Sequence, residues 1–380
     1  MVKTGLPATP SAGKHFTGLD GLRGAAALMV FLSHASADHQ NLLGLNFKGL
    51  GKCGVALFFI LSAHLLTSQF LQKNDVANWS VSRLWHYFLR RFMRIYPLYF
   101  VFLTLALATT WASAAMFGMK IPDGIPLTLD LRGWVEQLIL VRGDGVTWSI
   151  AVEFKYYFFL PVVAYLLFRL LEKGLVAPLL LMIAGIGISV VAWPPGDLDG
   201  NDPRMRAYLG IFLTGSLCGL IGSQWDRFPA WKFRLLSVLV PLGFGFLILT
   251  TPPLITFLGI ADPKTYRPEQ WMFAHGLAFI PILFSASFGQ GPLHRIFSTR
   301  VLRFVGMISF SFYLWHPVFT KGGFRLLKYV DMPIVVGWLA LAGTILASYI
   351  SYRLIEKPFL KVGGQPKLAR AEPPPPHSPA

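Results

Sequence analysis

Charge and cysteine are what this sequence has least of. Only 14% of its 380 residues are charged, while 54% are hydrophobic. A soluble chain of this length would form two or three domains, but one this apolar must leave most of its surface in lipid. Cys53 and Cys218 lie in or beside apolar runs without metal-ligand spacing, so they read as packing residues and are silent on redox compartment. No His/carboxylate set has ligand spacing on one helix, so no metal is expected. Nor is a cleavable signal expected, because the first apolar stretch opens with Asp20 and Arg23 and has no small-residue cleavage site behind it. Inverted repeats and paired broken helices are also missing. Acids are scarce enough to leave a net charge of +16. The basic residues sit at the ends of apolar runs instead of forming one patch beside exposed aromatics, which argues against nucleic-acid binding.

What is abundant is aromatic and aliphatic. The chain carries 32 Phe, 11 Trp and 12 Tyr, the last two types suited to anchoring at a membrane interface. A bilayer core about 30 Å thick needs roughly 20 apolar residues as helix. Runs of that kind centre on 19–36, 52–71, 92–115, 147–171, 175–193, 205–222, 235–251, 271–288, 301–320 and 332–355. The predicted fold is therefore all-α, a polytopic transmembrane bundle of about ten spans. Pro194-Pro195-Gly196-Asp197 and Thr251-Pro252-Pro253 are turn signals between spans. The predicted organisation is a cytoplasmic segment over 1–17, a transmembrane domain over 18–360 and a disordered, proline-rich tail over 361–380. An even span number puts both termini on one side. Arg83, Arg90, Arg91, Arg94, Arg295, Arg300, Arg303 and Lys357 fall on that side, and most acids on the other. This bias predicts cytoplasmic termini.

Ionisable side chains within spans are expensive in lipid and mark candidate functional positions. Arg23 and His34 in the first span are about three helical turns apart and share a face, separated by roughly 16 Å along the axis. The fourth span runs the opposite way and carries Glu153 about 10 Å from the outer surface, at a depth similar to His34. A His–carboxylate pair is a common general-base arrangement, so these two are the expected catalytic pair. His34 alone would equally suit a hydrogen-bonded packing role, and Glu153 could be held by a basic partner. Asp20, of a type favoured at helix N-caps, joins Arg23, His34 and Glu153 in the candidate catalytic set. Arg90, Arg91 and Arg94 at the edge of the third span fit two readings. They suit a topology anchor, and Arg91 and Arg94 share a helix face suited to phosphates.

Leu19-Asp20-Gly21-Leu22-Arg23-Gly24 leading to His34 resembles the opening of the acyltransferase type 3 family, the polytopic O-acyltransferases of surface polysaccharides. Blocks 54–62, 90–97, 147–153, 309–317 and 351–359 resemble that family in the same order, so the likeness covers nearly the whole chain. The resemblance implies ten core helices, an acyl-CoA donor, acetyl-CoA by preference, on the cytoplasmic side of a bacterial inner membrane, and an outward-facing carbohydrate or glycolipid acceptor. It places the family's arginine–histidine motif on Arg23 and His34, and its basic motif on Arg91 and Arg94 with Arg90 beside them. Its Trp-Ser-x-x-x-Glu block falls on Trp148, Ser149 and Glu153, the first two counted with the arginines as donor-binding. His316, within Trp-His-Pro, is expected to be structural. The sequence departs from the family where Ala63 and His64 replace a usual Gly and aromatic. No periplasmic domain is expected.

The expected mechanism has the coenzyme phosphates on the arginines and the pantetheine arm reaching His34, which deprotonates an acceptor hydroxyl. Alternatively, His34 takes the acyl group first. A different class also fits the composition, a proton-coupled transporter of a small anion or lipid-linked sugar that uses His34 and Glu153 as a relay.

Overall fold

A computed structural model describes residues 17–40, 42–72, 80–118, 126–198, 200–260, 262, 265–289 and 291–362. Segments 1–17 and 361–380 fall outside it apart from Thr17, Lys361 and Val362. Among the described residues there is no strand. The α-helices are α1 (Thr17–Ala37), α2 (Leu50–Gln72), α3 (Val81–Phe117), α4 (Leu131–Leu138), α5 (Thr147–Leu171), α6 (Val176–Ala192), α7 (Leu209–Ser223) and α8 (Trp231–Leu249). They continue with α9 (Pro252–Phe257), α10 (Met272–Phe288), α11 (Pro292–Phe297), α12 (Arg300–Met307), α13 (Ser309–Leu326), α14 (Pro333–Ser351) and α15 (Lys357–Val362). Helix is the only open-ended way to satisfy every backbone donor and acceptor in hydrocarbon, which is why each long apolar run takes this form.

Every predicted run falls on a helix, though not every one is by itself long and apolar enough to count as a span. Eight helices among the described residues are long and apolar enough to cross a membrane. The runs at 19–36 and 301–320 are outside that set. The first, α1, carries Asp20, Arg23, His34 and several glycines, which lower its hydropathy. The second is broken at Ile308 into α12 and the polar α13. Asp20 also differs from expectation: the helix starts at Thr17, so Asp20 sits within the first turn and not at the cap.

These polar helices lie inside the bundle, where protein replaces lipid as their neighbour. The buried centre is α2, with 78% of its apolar window covered, whereas α8 at 11% and α6 at 17% form the periphery. Helix α1 packs against α2, α12 and α13. Its glycines explain the closeness. A Cβ on Gly21 or Gly24 would collide with the carbonyl oxygens of Phe297 and Leu302, and one on Gly306 with the Asp20 carbonyl. Bare backbone at these crossings lets van der Waals contact replace the missing hydrophobic drive between helices in lipid. Ala63 serves the same end at the α2–α7 crossing, where it faces Gly215.

Candidate active site

The C-terminal end of α1 is tied to α13 by three side chains in succession. His34 Nδ1 lies 2.7 Å from His316 Nε2, Lys321 Nζ donates to Asp38 Oδ1 at 2.7 Å, and Gln40 Nε2 donates to the Thr320 carbonyl at 2.5 Å. The two imidazole centroids are 4.9 Å apart with planes inclined by 21°, as an edge-to-edge N–H···N bond requires.

The proton positions follow from one further contact. His316 Nδ1 is 2.8 Å from the Tyr313 carbonyl oxygen, which can only accept. His316 Nδ1 therefore carries the proton, and the Nε2 of neutral His316 accepts from His34 Nδ1–H. That leaves His34 Nε2 with a free lone pair. His34 is half-buried and lines a cavity of about 400 Å³, so Nε2 is the ring nitrogen left for a ligand there. An imidazole fixed in one tautomer, with its second nitrogen facing a ligand-sized space, has the form of a general base.

A smaller cavity, of about 60 Å³, lies toward the end of the bundle where α1 begins. It is lined by Arg23 of α1, Arg94 of α3, Glu153 and Tyr157 of α5, and the apolar side chains Phe58, Ile150 and Phe310. Glu153 Oε1 accepts from the Tyr157 hydroxyl at 2.6 Å, a pairing that the i,i+4 spacing on α5 makes local. The Arg91 guanidinium lies 5.9 Å from the Tyr157 ring centroid. Arg23 interacts electrostatically with Arg94, Glu153 and Asp20. Glu356, in a π-helical turn over Tyr352–Glu356, adds a second carboxylate whose charge acts on Arg94 and Arg23. It accepts hydrogen bonds from the Ser311 backbone N–H, at 3.1 Å, and from the Ser311 hydroxyl.

Tyr313 and Val55 line both cavities. The Ser149 hydroxyl donates to Tyr313 Oη at 2.7 Å and so places the phenol at the boundary.

The structure gives each member of the expected catalytic pair a different hydrogen-bond partner. His34 and Glu153 do not hydrogen-bond each other: His34 bonds His316, and Glu153 bonds Tyr157 among the arginines. Equal depth on two helices does not set the rotation of either about its axis. Arg23, Arg91, Arg94, Ser149 and Glu153 do come together around the smaller cavity and its wall, while Arg90 is half-buried on α3 beside them. Trp148, expected with the donor-binding arginines, instead lines the His34 cavity. There its ring packs near Phe59 and Tyr208, with Lys52 Nζ 5.0 Å from its centroid. His316 is fully buried and is a partner of the base. The rule that an ionisable group in a span is a candidate would have found it, and the Trp-His-Pro context steered the reading away. Tyr157, Tyr313, Lys52 and Glu356 were missed because tyrosines and helix-end charges look like anchors in sequence. His64 is buried between α2 and α7, with its ring edge toward Phe284, and lines neither cavity.

The fold and site thus define a polytopic helical membrane protein with a histidine in the wall of one cavity and an arginine-lined cavity adjoining it. The chain belongs to the acyltransferase domain family, whose model matches residues 16–353. It is 28% identical over 381 residues to the peptidoglycan O-acetyltransferase OatA of Listeria monocytogenes, covering 92% of this chain and 56% of that protein. It is 26% identical over 379 residues to the O-acetyltransferase OatA of Staphylococcus aureus, covering 92% and 58%. The chain therefore spans less than two thirds of the length of these relatives. No solved structure matches it.

Proposed function

We propose that this protein transfers an acyl group, acetyl by preference, from acyl-CoA to a hydroxyl of a cell-surface or exported carbohydrate. The observation that carries the reading is the chain Tyr313 C=O···His316···His34, which leaves an imidazole lone pair at a ligand-sized cavity. Family membership and the O-acetyltransferase names of the relatives support the acyl chemistry, and the carbohydrate acceptor follows the peptidoglycan named for one of them.

In this reading the coenzyme phosphates bind Arg90, Arg91 and Arg94 from the cytoplasmic face of a bacterial inner membrane, with both termini on that side. The thioester reaches the Tyr313–Val55 boundary through the smaller cavity, past Arg23 and Glu153. The acceptor enters the His34 cavity from the other side. His34 Nε2 removes the acceptor hydroxyl proton as the oxygen attacks the thioester carbonyl carbon. The Tyr313 hydroxyl, at the boundary, donates to the oxyanion. The C–S bond then breaks, and the departing thiolate takes the proton back from the His34 imidazolium. His316 keeps the ring in the active tautomer and shares the charge formed during the step.

The test is acetyl-CoA consumption by the full chain in nanodiscs, wild type beside His34→Ala, with folding of both checked. Consumption by the wild type that the variant loses supports the reading. A wild type that neither binds nor consumes acyl-CoA sinks it and leaves proton-coupled transport as the reading to pursue.

A further inference from the structure

The His34 cavity has one electrostatic sign. Lys48 and Lys52 line it, and no carboxylate does so among the described residues. Lys52 Nζ donates to the Gly200 carbonyl at 3.1 Å and to Asn201 Oδ1 at 2.9 Å, both neutral acceptors. An ammonium has three N–H donors, so one is left for a ligand.

The acids around this end of the bundle have other partners. Arg204 holds Asp202 with Nε at 2.9 Å and Nη2 at 2.6 Å. Burial pushes the Asp202 carboxyl up, but its bonds to Arg204 outweigh this and hold it below the usual carboxylate range. Asp144 pairs with Arg142 at 2.7 Å, and Asp38 with Lys321 at 2.7 Å. Glu269 acts on Lys52 electrostatically without lining the cavity, and it accepts from the Gly200 N–H at 3.2 Å. Lys52 also acts electrostatically on His34. A negative group beside Lys52 would therefore sit within the same cavity as the hydroxyl being deprotonated.

Resting on the acyl-transfer reading above, we infer that the acceptor is an acidic saccharide whose carboxylate is held by Lys52 and Lys48 while its hydroxyl meets His34. The buried indole of Trp148, under the Lys52 ammonium, helps to fix that charge in the cavity wall. A lysine ammonium is a compact point charge and needs no planar partner, which suits a carboxylate presented on a sugar ring. Two other roles are open to Lys52, holding the Gly200 carbonyl and the Asn201 side chain and stabilising the oxyanion. Neither would distinguish a charged ligand from a neutral one in the absence of donor.

The measurement is equilibrium binding of a tetrasaccharide of alternating glucuronate and N-acetylglucosamine to the full chain in phosphatidylcholine nanodiscs without donor. The comparison ligand is the same tetrasaccharide with its carboxylates reduced to alcohols. The acid form should bind at least about tenfold more tightly at low salt, with the gap narrowing as salt is added. In the Lys48→Gln/Lys52→Gln variant the ratio should fall to about one, and Lys52→Arg alone should keep the preference. Equal binding of the two ligands by the wild type, or no binding of either, overturns the inference. So does a preference that survives the double variant. Acetyl-CoA binding and consumption in the same preparation are read separately: a wild type that shows neither removes the acyl-transfer reading whatever the binding ratio is.

Discussion

His316 is bound on both sides: its Nδ1 is 2.8 Å from the Tyr313 carbonyl and its Nε2 is 2.7 Å from His34 Nδ1. This relationship gives His34 a defined tautomer. It also separates the roles of residues that lie at the same membrane depth.

Replacing His316 with Phe removes the acceptor for His34 Nδ1–H and frees the tautomer. Steady-state kinetics should show kcat lowered about 10- to 100-fold with little change in KM for the donor. The acidic limb of the pH–kcat profile should move, since the rate is lost as His34 protonates and the imidazolium then lacks the acceptor that stabilised it. Glu153→Gln should leave that limb in place. A Glu153 variant that moves the limb as the His316 variant does would restore the His34–Glu153 pair.

Arg91 and Arg94 should act on the donor's phosphates. Alanine at either position is expected to raise KM for acetyl-CoA about tenfold, while acetyl-pantetheine, which lacks the nucleotide, should be used equally by variant and wild type. Arg91→Lys should not rescue, because the planar guanidinium over Tyr157 has no lysine equivalent. Equal loss with both donors would point to a structural role.

The Glu153 carboxylate lies among Arg23, Arg94 and Tyr157. Glu153→Ala removes one of the carboxylates that offset Arg23 and Arg94 and should cost about 1–3 kcal/mol, read as a lower melting temperature in detergent. Glu153→Gln keeps an acceptor for the Tyr157 hydroxyl and should lose less. An alanine variant as stable as wild type would show that the cavity is wet enough to screen the charges.

Gly24→Val should drive α1 away from α12, because the new side chain meets the Leu302 carbonyl. The expected loss is on the order of 2–3 kcal/mol, with activity falling further as His34 leaves His316. Thermal unfolding beside initial rates separates the two effects. A stable and active variant would mean the crossing can open without cost.

In the proposed reaction both substrates occupy the site together, the two cavities sharing Tyr313 and Val55 in their walls. Direct transfer should therefore give sequential kinetics and no acyl-labelled protein after incubation with labelled acetyl-CoA alone. Label retained on His34 would favour the two-step route.

The membrane class, the helical runs and the candidate charges were legible in the sequence because each is a local property. Lipid leaves backbone polar groups no partner outside their own helix, so about 20 apolar residues suffice to specify one. Partnership was another matter. Glu153 and Tyr157 lie one helical turn apart and were open to inspection, but His34 and His316 are 282 positions apart and meet only because α1 and α13 pack. Depth along a helix can be counted from the chain, whereas the rotation that turns His34 toward His316 and away from Glu153 is set by bare-backbone contacts at Gly21, Gly24 and Gly306. The sequence by itself determined which residues enter the membrane. The tertiary structure decided which of them touch, because interhelical packing selects a face of each helix and a one-dimensional pattern carries no information about its neighbour's.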